Sequence, residues 1–265
     1  MRIHVRAVAA VAIVPLLLGV AACGGEEKAT GTLPSSAPTT AVEKTITAAP
    51  PKVAQPPVAR LTKATFVPAM NTALASQKTW RTTARMTAGG ETVMTITGFQ
   101  QSEPMAMSME MSGVAFNGGK AKVIVVNDTA YVSIPGATPA GKYLKLDAND
   151  PEVGSLADSG DPTKTFKAFE KSLRNAKFVK TETIDGRKLD RYDLTVDTAS
   201  ALRAQGKTVP KGTPKTLTYS VWMDSAKLIR RLSFDLAGVA MVMNMTDYNK
   251  PVTIKAPPAS KTITR

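Results

Sequence analysis

The sequence predicts an α+β fold, mainly β, built from a single strongly curved antiparallel sheet. This sheet of about eleven strands would form a half-barrel, with a few helices covering an apolar cavity. Two observations lead to the prediction. Most of residues 61–265 alternate apolar and polar side chains with period two and carry turn residues between the alternating runs. Only three short stretches show helical spacing, and a sheet of this size must bury one face against them or against itself.

Turn signals separate the predicted strands and place them in meander order. Gly89-Gly90, Asn127-Asp128 and Asp185-Gly186 each lie between two alternating runs, which is typical of a β-hairpin. The predicted strands are residues 80–87, 92–99, 105–111, 121–126, 129–134, 142–146, 178–184, 187–196, 216–224, 228–236 and 240–248.

Three helices are predicted from apolar spacing and capping residues. The first has an apolar stripe with a spacing of four, and Pro68 is tolerated in its first turn. The second begins with Asp161 as N-cap, and the third is entered through Asp197 and closed by Gly206. The apolar stripe of the first helix is Phe66, Met70 and Leu74. The second helix covers residues 161–173, with Phe166, Phe169 and Leu173 on its apolar face, and the third covers residues 198–205.

Methionine fills every second position of two predicted strands. Alternate side chains of a strand share one face, so each ladder points to one side of the sheet. Methionine is unbranched and polarizable and repacks around irregular apolar shapes, which suits a cavity for flexible acyl chains; the alternative is a core filler beneath the helices. Trp80 and Tyr192 are expected on the same face. The candidate cavity-lining residues are Met86, Met94, Ile96, Met105, Met107, Met109, Met111, Leu194, Val196, Leu232, Phe234, Met241, Met243 and Met245.

The N-terminus predicts export and lipid attachment. Arg2 and Arg6 precede an apolar stretch over 8–20 that is too short to span a bilayer and is typical of a signal peptide. It ends in Val-Ala-Ala-Cys, which resembles the bacterial lipobox, with Cys23 as the residue that is diacylated and becomes the new N-terminus. Because each buried methylene contributes about 0.8 kcal/mol, two or three acyl chains anchor a protein stably. Residues 1–22 are therefore predicted as the signal peptide.

Residues 23–60 are predicted to be the lipidated cysteine and a disordered tether. The segment is rich in Pro, Thr and Ala and lacks a sustained apolar period, so it cannot bury enough surface to order itself. As a coil it would span about 35 Å, and in polyproline form about 115 Å. Residues 61–265 then form one lipid-binding domain, large enough for a substantial core.

Charge and composition exclude several functions. Without Arg2 and Arg6 the chain keeps 32 basic and 21 acidic side chains, a net charge of +11. Anionic lipid headgroups or wall polymers are better partners for an exported basic domain than nucleic acid, and a merely soluble basic surface is the alternative. Beyond Cys23 the chain has no Cys or His, so no Ser-His-Asp triad, Cys-His pair or imidazole metal site can form. No metal and no cofactor is expected.

Several segments together resemble actinobacterial lipoproteins of the LppX, LprA, LprF and LprG type. The likeness covers most of residues 61–258, and the lipobox agrees with it. The segments are Tyr131–Ile134 with Gly141–Asp147, Gly186–Asp197 followed by a short helix, Val221–Asp224, and Asp247–Ile254 closing with Ala256-Pro257-Pro258.

The resemblance implies the fold of the LolA and LolB carriers, a bent sheet with helices around a hydrophobic cavity. It implies a protein that binds or shuttles lipids or lipoglycans and is not an enzyme, because the family's ligand contacts are apolar and carry no catalytic motif. We therefore expect a lipoprotein on the outer face of the cytoplasmic membrane that carries acyl lipids to the envelope. A packed, non-carrier module with a protein partner is the first alternative. An envelope hydrolase with a carboxylate pair is the second, although no feature of the sequence identifies the pair.

Overall fold

Twelve strands form one open, curved sheet in the computed structural model, which describes residues 59–147, 169–204, 208–236 and 238–264. The predicted signal peptide, Cys23 and nearly all of the predicted tether lie outside these residues. The strands are β1 (Thr79–Ala88), β2 (Glu91–Gln101), β3 (Ala106–Gly113), β4 (Lys120–Val126), β5 (Thr129–Ser133), β6 (Tyr143–Asp147), β7 (Leu173–Ile184), β8 (Arg187–Asp197), β9 (Thr216–Met223), β10 (Ile229–Leu236), β11 (Val239–Thr246) and β12 (Thr262–Thr264).

The sheet consists of two antiparallel meanders, β1–β6 and β7–β11, that join where β1 pairs with β11. The mainly β fold with a single antiparallel sheet, predicted from alternation, is confirmed. All three predicted hairpin turns have the positive φ angles that a type I′ turn requires at both central residues, at Gly89-Gly90, Asn127-Asp128 and Asp185-Gly186.

One strand was not predicted. β12 has three residues and pairs in parallel with β6, with Thr262 opposite Tyr143 and Thr264 opposite Lys145. Three residues are too few to establish a period-two pattern, so alternation could not reveal this strand. It makes the twelfth strand of a sheet whose other pairs are antiparallel.

The first helix, α1 (Lys63–Ala75), follows the predicted stripe and buries Phe66, Val67, Met70 and Leu74. The hydroxyl of Thr65 accepts a hydrogen bond of 2.9 Å from the backbone N–H of Thr62, which satisfies one N-terminal donor. This cap starts the helix earlier than expected. Pro68 is therefore the sixth helical residue and lies in the second turn, not the first, so one interior hydrogen bond is missing.

The predicted helix over 161–173 lies mostly outside the described residues. Residues 169–172 are helical, but Leu173 is the first residue of β7, where it pairs with Val196. β7 therefore begins five residues before the predicted strand. Register irregularities between Leu173 and Asn175 and between Phe178 and Lys180 break the period of two, which hides the start of this strand in the sequence.

The second described helix, α2 (Thr198–Ala204), begins where it was predicted. The Asp197 Oδ1 atom accepts a 2.8 Å hydrogen bond from the backbone N–H of Ser200, as an N-cap does. Single turns of 3-10 helix cover Val114–Phe116 and Ala259–Lys261. Among the described helices, none has the length and apolar character needed to cross a membrane.

Asp197 gives a pH-dependent prediction. Arg174, 2.8 Å from Oδ2, together with the Ser200 N–H holds the pKa of this carboxyl well below its usual value. A depressed folded-state pKa stabilises the fold fully above the ordinary value and loses this effect as pH falls through the folded value. Asp197→Ala should therefore lower the melting temperature by about 2–4 °C near neutral pH, and the difference should shrink below about pH 4.

Asp197→Asn is the matched control, because asparagine keeps the capping acceptor without the charge. The two variants should differ from each other by an amount that does not change with pH, since neither titrates. Equal melting temperatures for the parent and Asp197→Ala at pH 7 would contradict the capping role.

Candidate functional site

Strand register brings the predicted residues onto one face of the sheet, which we call the inner face. Met86 on β1 lies directly opposite Met94 on β2 and Met241 on β11, and Phe234 on β10 continues this row. The neighbouring row consists of Met111, Ile96, Ala84, Met243 and Leu232. The two methionine ladders, far apart in the sequence, are thus parts of one surface.

Met105 is the one candidate residue that the structure does not place on the inner face. The pairing of β2 with β3 ends at Gln101 opposite Ala106, so residues 102–105 form the connecting turn. The side-chain amide of Gln101 donates to the carbonyl oxygens of Glu103 and Pro104 and holds this turn. Met105 is 58% exposed there, and its assignment to the strand was wrong.

One end of the inner face is a packed core beneath α1, which we call the α1 core. Its aromatic rings stack edge to face, with centroids 5.3 Å apart between Phe66 and Tyr192 and 5.2 Å apart between Tyr219 and Phe234. Burial raises the pKa of Tyr219 to about 12. Four of the candidate lining residues belong to this core: Leu194, Val196, Leu232 and Met245.

The other end of the inner face is a second packed core on β3, β4 and β5, which we call the β4 core. Phe116 covers it from the 3-10 turn, and Met107 and Met111 from the candidate set are buried in it. Its other buried members are Ala121, Val123, Val125, Ala130 and Val132. Six candidates thus serve as core residues in one cluster or the other.

Between the two cores lies a half-buried band that we call the methionine strip. Its members keep partial exposure although their strands are central in the sheet. Three of its members, Met94, Ile96 and Met109, pack against the β4 core. Met241 packs against the α1 core together with Phe234, its directly opposite neighbour on β10. The strip consists of Met86, Met94, Ile96, Met109, Met241 and Met243.

Gly98 is part of this surface, although alternation alone did not single it out. A Cβ atom at Gly98 would lie 2.9 Å from Cγ of Met109, its directly opposite neighbour on β3. The Met109 side chain therefore leans across β2 into the space that the glycine leaves. A glycine inside a strand is a sequence signal for such a close approach.

A narrow crevice lies within the α1 core, at the end of α1. It encloses too little space for a water molecule and is lined by Met70, Leu74, Leu228, Ile229, Met245 and Tyr248. The Tyr248 hydroxyl donates a 2.6 Å hydrogen bond to the carbonyl oxygen of Ile229, and burial raises its pKa. Met245 is the only candidate lining residue that borders this crevice.

Two polar side chains interrupt the apolar inner face between the α1 core, which includes Trp80, and the β4 core. Trp80 on β1 lies opposite Gln100 on β2, and both are buried. The Gln100 Nε2 atom lies 3.7 Å from the sulfur of Met107 on β3, a weak acceptor. The indole Nε1 of Trp80 has no hydrogen-bond partner among the described residues. The sequence did not place Gln100 on the inner face, because a glutamine in an alternating strand is expected to face solvent.

The carboxylates of the described residues do not support the hydrolase alternative. A hydrogen bond from Lys120 lowers the pKa of Glu110, one from Lys180 lowers that of Glu182, and one from Lys250 lowers that of Asp247. A glycosidase needs one carboxyl group with a raised pKa as general acid. These carboxylates, like Asp197, are shifted in the opposite direction.

Two lipoproteins of known structure match this chain with a TM-score above 0.5. LppX from Mycobacterium tuberculosis matches with a TM-score of 0.52 and 16% identity, over 73% of this chain and 98% of that one. LprF from Mycobacterium bovis matches with a TM-score of 0.52 and 15% identity, over 74% of this chain and 96% of that one. A LolA-superfamily protein from Nitrosomonas europaea reaches a TM-score of 0.29. No protein-family model and no curated protein matches the sequence. The resemblance to LppX- and LprF-type lipoproteins is confirmed at the level of the fold.

Two neighbouring methionines should respond differently to enlargement. Met107 is 4% exposed in the β4 core, so Met107→Trp should overpack it at a cost of about 1–3 kcal/mol and lower the melting temperature by a few degrees. Met109 lies in the methionine strip, so Met109→Trp should leave the melting temperature unchanged but reduce uptake of a fluorescent fatty acyl probe. Thermal melts and probe titrations measure both effects.

Met105→Trp provides the control, since this side chain lies in an exposed turn and should change neither quantity. If Met109→Trp lowers the melt as much as Met107→Trp and leaves uptake unchanged, the strip is packed like a core and its assignment as a binding surface is wrong.

Proposed function

We propose that this protein is a lipid-anchored lipoprotein that binds the acyl chains of a lipid or lipoglycan on its methionine strip. It carries them between the cytoplasmic membrane and the cell envelope. The observation that carries the proposal is the strip itself, a half-buried band of five methionines and one isoleucine between two packed cores. The fold that presents the strip is shared with the lipoproteins LppX and LprF, which supports the proposal.

Methionine suits this role because of its shape and softness. Its unbranched thioether side chain repacks at low cost, so one surface can accommodate acyl chains of different length and unsaturation. Each methylene of a ligand that leaves water contributes about 0.8 kcal/mol. A chain lying along the strip would gain affinity without any directional contact, which agrees with the apolar character of these positions.

The proposed anchor brings this surface close to its lipid source. Lipidated Cys23 would hold the chain on the outer face of the cytoplasmic membrane through a tether of about 35 Å as a coil. The tether would end at Leu61, whose backbone N–H donates a 3.3 Å hydrogen bond to the hydroxyl of Tyr192 in the α1 core. The net charge of +11 would favour a surface of anionic headgroups.

The alternative is an envelope module of the same fold that carries no lipid and docks a protein partner. Six candidate lining residues are core residues, which favours this alternative. The crevice beside α1 also encloses almost no space, whereas ordinary ligand sites enclose roughly 300–1,000 Å³. The two proposals differ in whether the methionine strip ever holds an acyl chain.

Native mass spectrometry of the mature chain, with Cys23→Ser to remove its own lipid, separates the two. We expect a fraction of the protein to carry a co-purified acyl lipid. The double variant Met86→Gln/Met109→Gln should lower that fraction several-fold, because glutamine keeps the length of methionine but resists burial. Met105→Gln, in the exposed turn, is the matched control and should leave the fraction unchanged.

Repeated purification of an empty parent protein would reject the carrier proposal and favour the packed module. Equal lipid occupancy in the parent and in the double glutamine variant would place the lipid elsewhere on the molecule.

Anchoring is tested separately through the lipobox. Cys23→Ala should leave the precursor uncleaved by the lipoprotein signal peptidase or release the protein into the medium, because alanine cannot receive the acyl chains. Immunoblots of the membrane, detergent-phase and medium fractions measure this. A variant that is still processed and still partitions into detergent like the parent would refute the proposed attachment at Cys23.

A further inference from the structure

We propose that Met86, Met94 and Met241 form a binding site for a soft monovalent metal ion, Cu(I). The three residues occupy directly opposite positions on three adjacent strands, β2, β1 and β11, with Met86 in the middle. All three are half-buried on the same face of the sheet. This site does not depend on the carrier function proposed above.

The spacing of the strands suits a single ion bound by three sulfur atoms. Directly opposite residues of an antiparallel pair have their Cβ atoms about 4.5–5.5 Å apart. A methionine sulfur lies two bonds beyond Cβ, so the two outer side chains can lean inward and meet above Met86. Gly113 lies directly opposite Met94 on the far side, where the two backbones approach so closely that a Cβ atom would collide with the Val93 carbonyl oxygen.

The chemistry of the ligand set selects the metal. Thioethers are soft, uncharged ligands that favour Cu(I) over hard or divalent ions. A divalent ion on three neutral sulfurs would keep its whole charge in a partly buried, apolar band, which costs far more than burying one charge. Among the described residues, no group of three or more His, Cys, Asp or Glu side chains could hold a metal instead.

Partial exposure makes the site usable. A fully buried methionine such as Met223 or Met245 could be reached by an ion only if the core opened. The three strip methionines are half-buried: Met94 packs against the β4 core, Met241 packs against the α1 core, and Met86 lies between them. Such a setting admits an ion and reduces the competition from water for its sulfur ligands.

Competition with a coloured Cu(I) chelator tests the site. The mature chain with Cys23→Ser is titrated under argon into Cu(I)-bicinchoninate with excess ascorbate, which keeps copper reduced. We expect the protein to withdraw one equivalent of Cu(I). Met86→Leu, Met94→Leu and Met241→Leu should each weaken binding at least tenfold, and the triple variant should remove it. Met105→Leu is the control and should bind like the parent.

A second measurement follows the ion in the parent protein, and the leucine variants serve only to assign its resonances. Ag(I), a redox-inert substitute for Cu(I), is added to protein labelled with ¹³C in the methionine methyl groups. Three methyl resonances, assigned through the single leucine variants, should shift together, while that of Met105 should stay in place.

Failure of the parent to compete for Cu(I), or a triple leucine variant that binds as tightly as the parent, would overturn the proposal. Shifts confined to methionines other than these three would also overturn it. Copper binding is read from the chelator competition, and acyl binding is read from native mass spectra of the parent protein. A failure of this site and a failure of the carrier function are therefore separate results.

Discussion

The pairing of β1 with β11 is the constraint on which the rest of the structure depends. Eight residue pairs, from Arg81 opposite Thr246 to Ala88 opposite Val239, join two meanders that would otherwise be separate sheets. Because side chains alternate between faces, a slip of one residue in this register would turn the Met241–Met245 ladder to the opposite face. The continuous inner face, and the methionine strip at its centre, exist only in the observed register.

Local features of the fold could be predicted, and long-range ones could not. Alternation and turn residues located the strands and the Asn127-Asp128 and Asp185-Gly186 turns, because a hairpin depends on residues that are close in the sequence. The β1–β11 pair joins segments about 160 residues apart, and no local pattern encodes it. The same holds for β12 beside β6, and for the start of β7, where irregular register disguises the alternation.

The candidate site was predictable to a similar depth. The alternation of side chains along each strand identified the residues that share the inner face, with the exception of Met105, which lies in a turn. It could not divide that face into two cores and a strip, because the division depends on which strands α1 and the Val114–Phe116 turn cover. Met107 and Met109 have the same pattern in the sequence and differ only in what packs over them. A methionine ladder therefore predicts which side of the sheet its residues share. Tertiary packing determines whether each of them lies in a core or in the strip.

The two cores also differ in when they can form during synthesis. Every buried member of the β4 core lies between residues 107 and 132, so this half can bury its apolar side chains as soon as its own strands exist. The α1 core combines residues 61–80 with residues 169–248, so the apolar stripe of α1 waits for strands that follow much later. At about 5–20 residues per second the delay is on the order of ten seconds. Through that interval Phe66, Met70 and Leu74 have no native partner from the second meander, and the apolar stripe of α1 is open to aggregation.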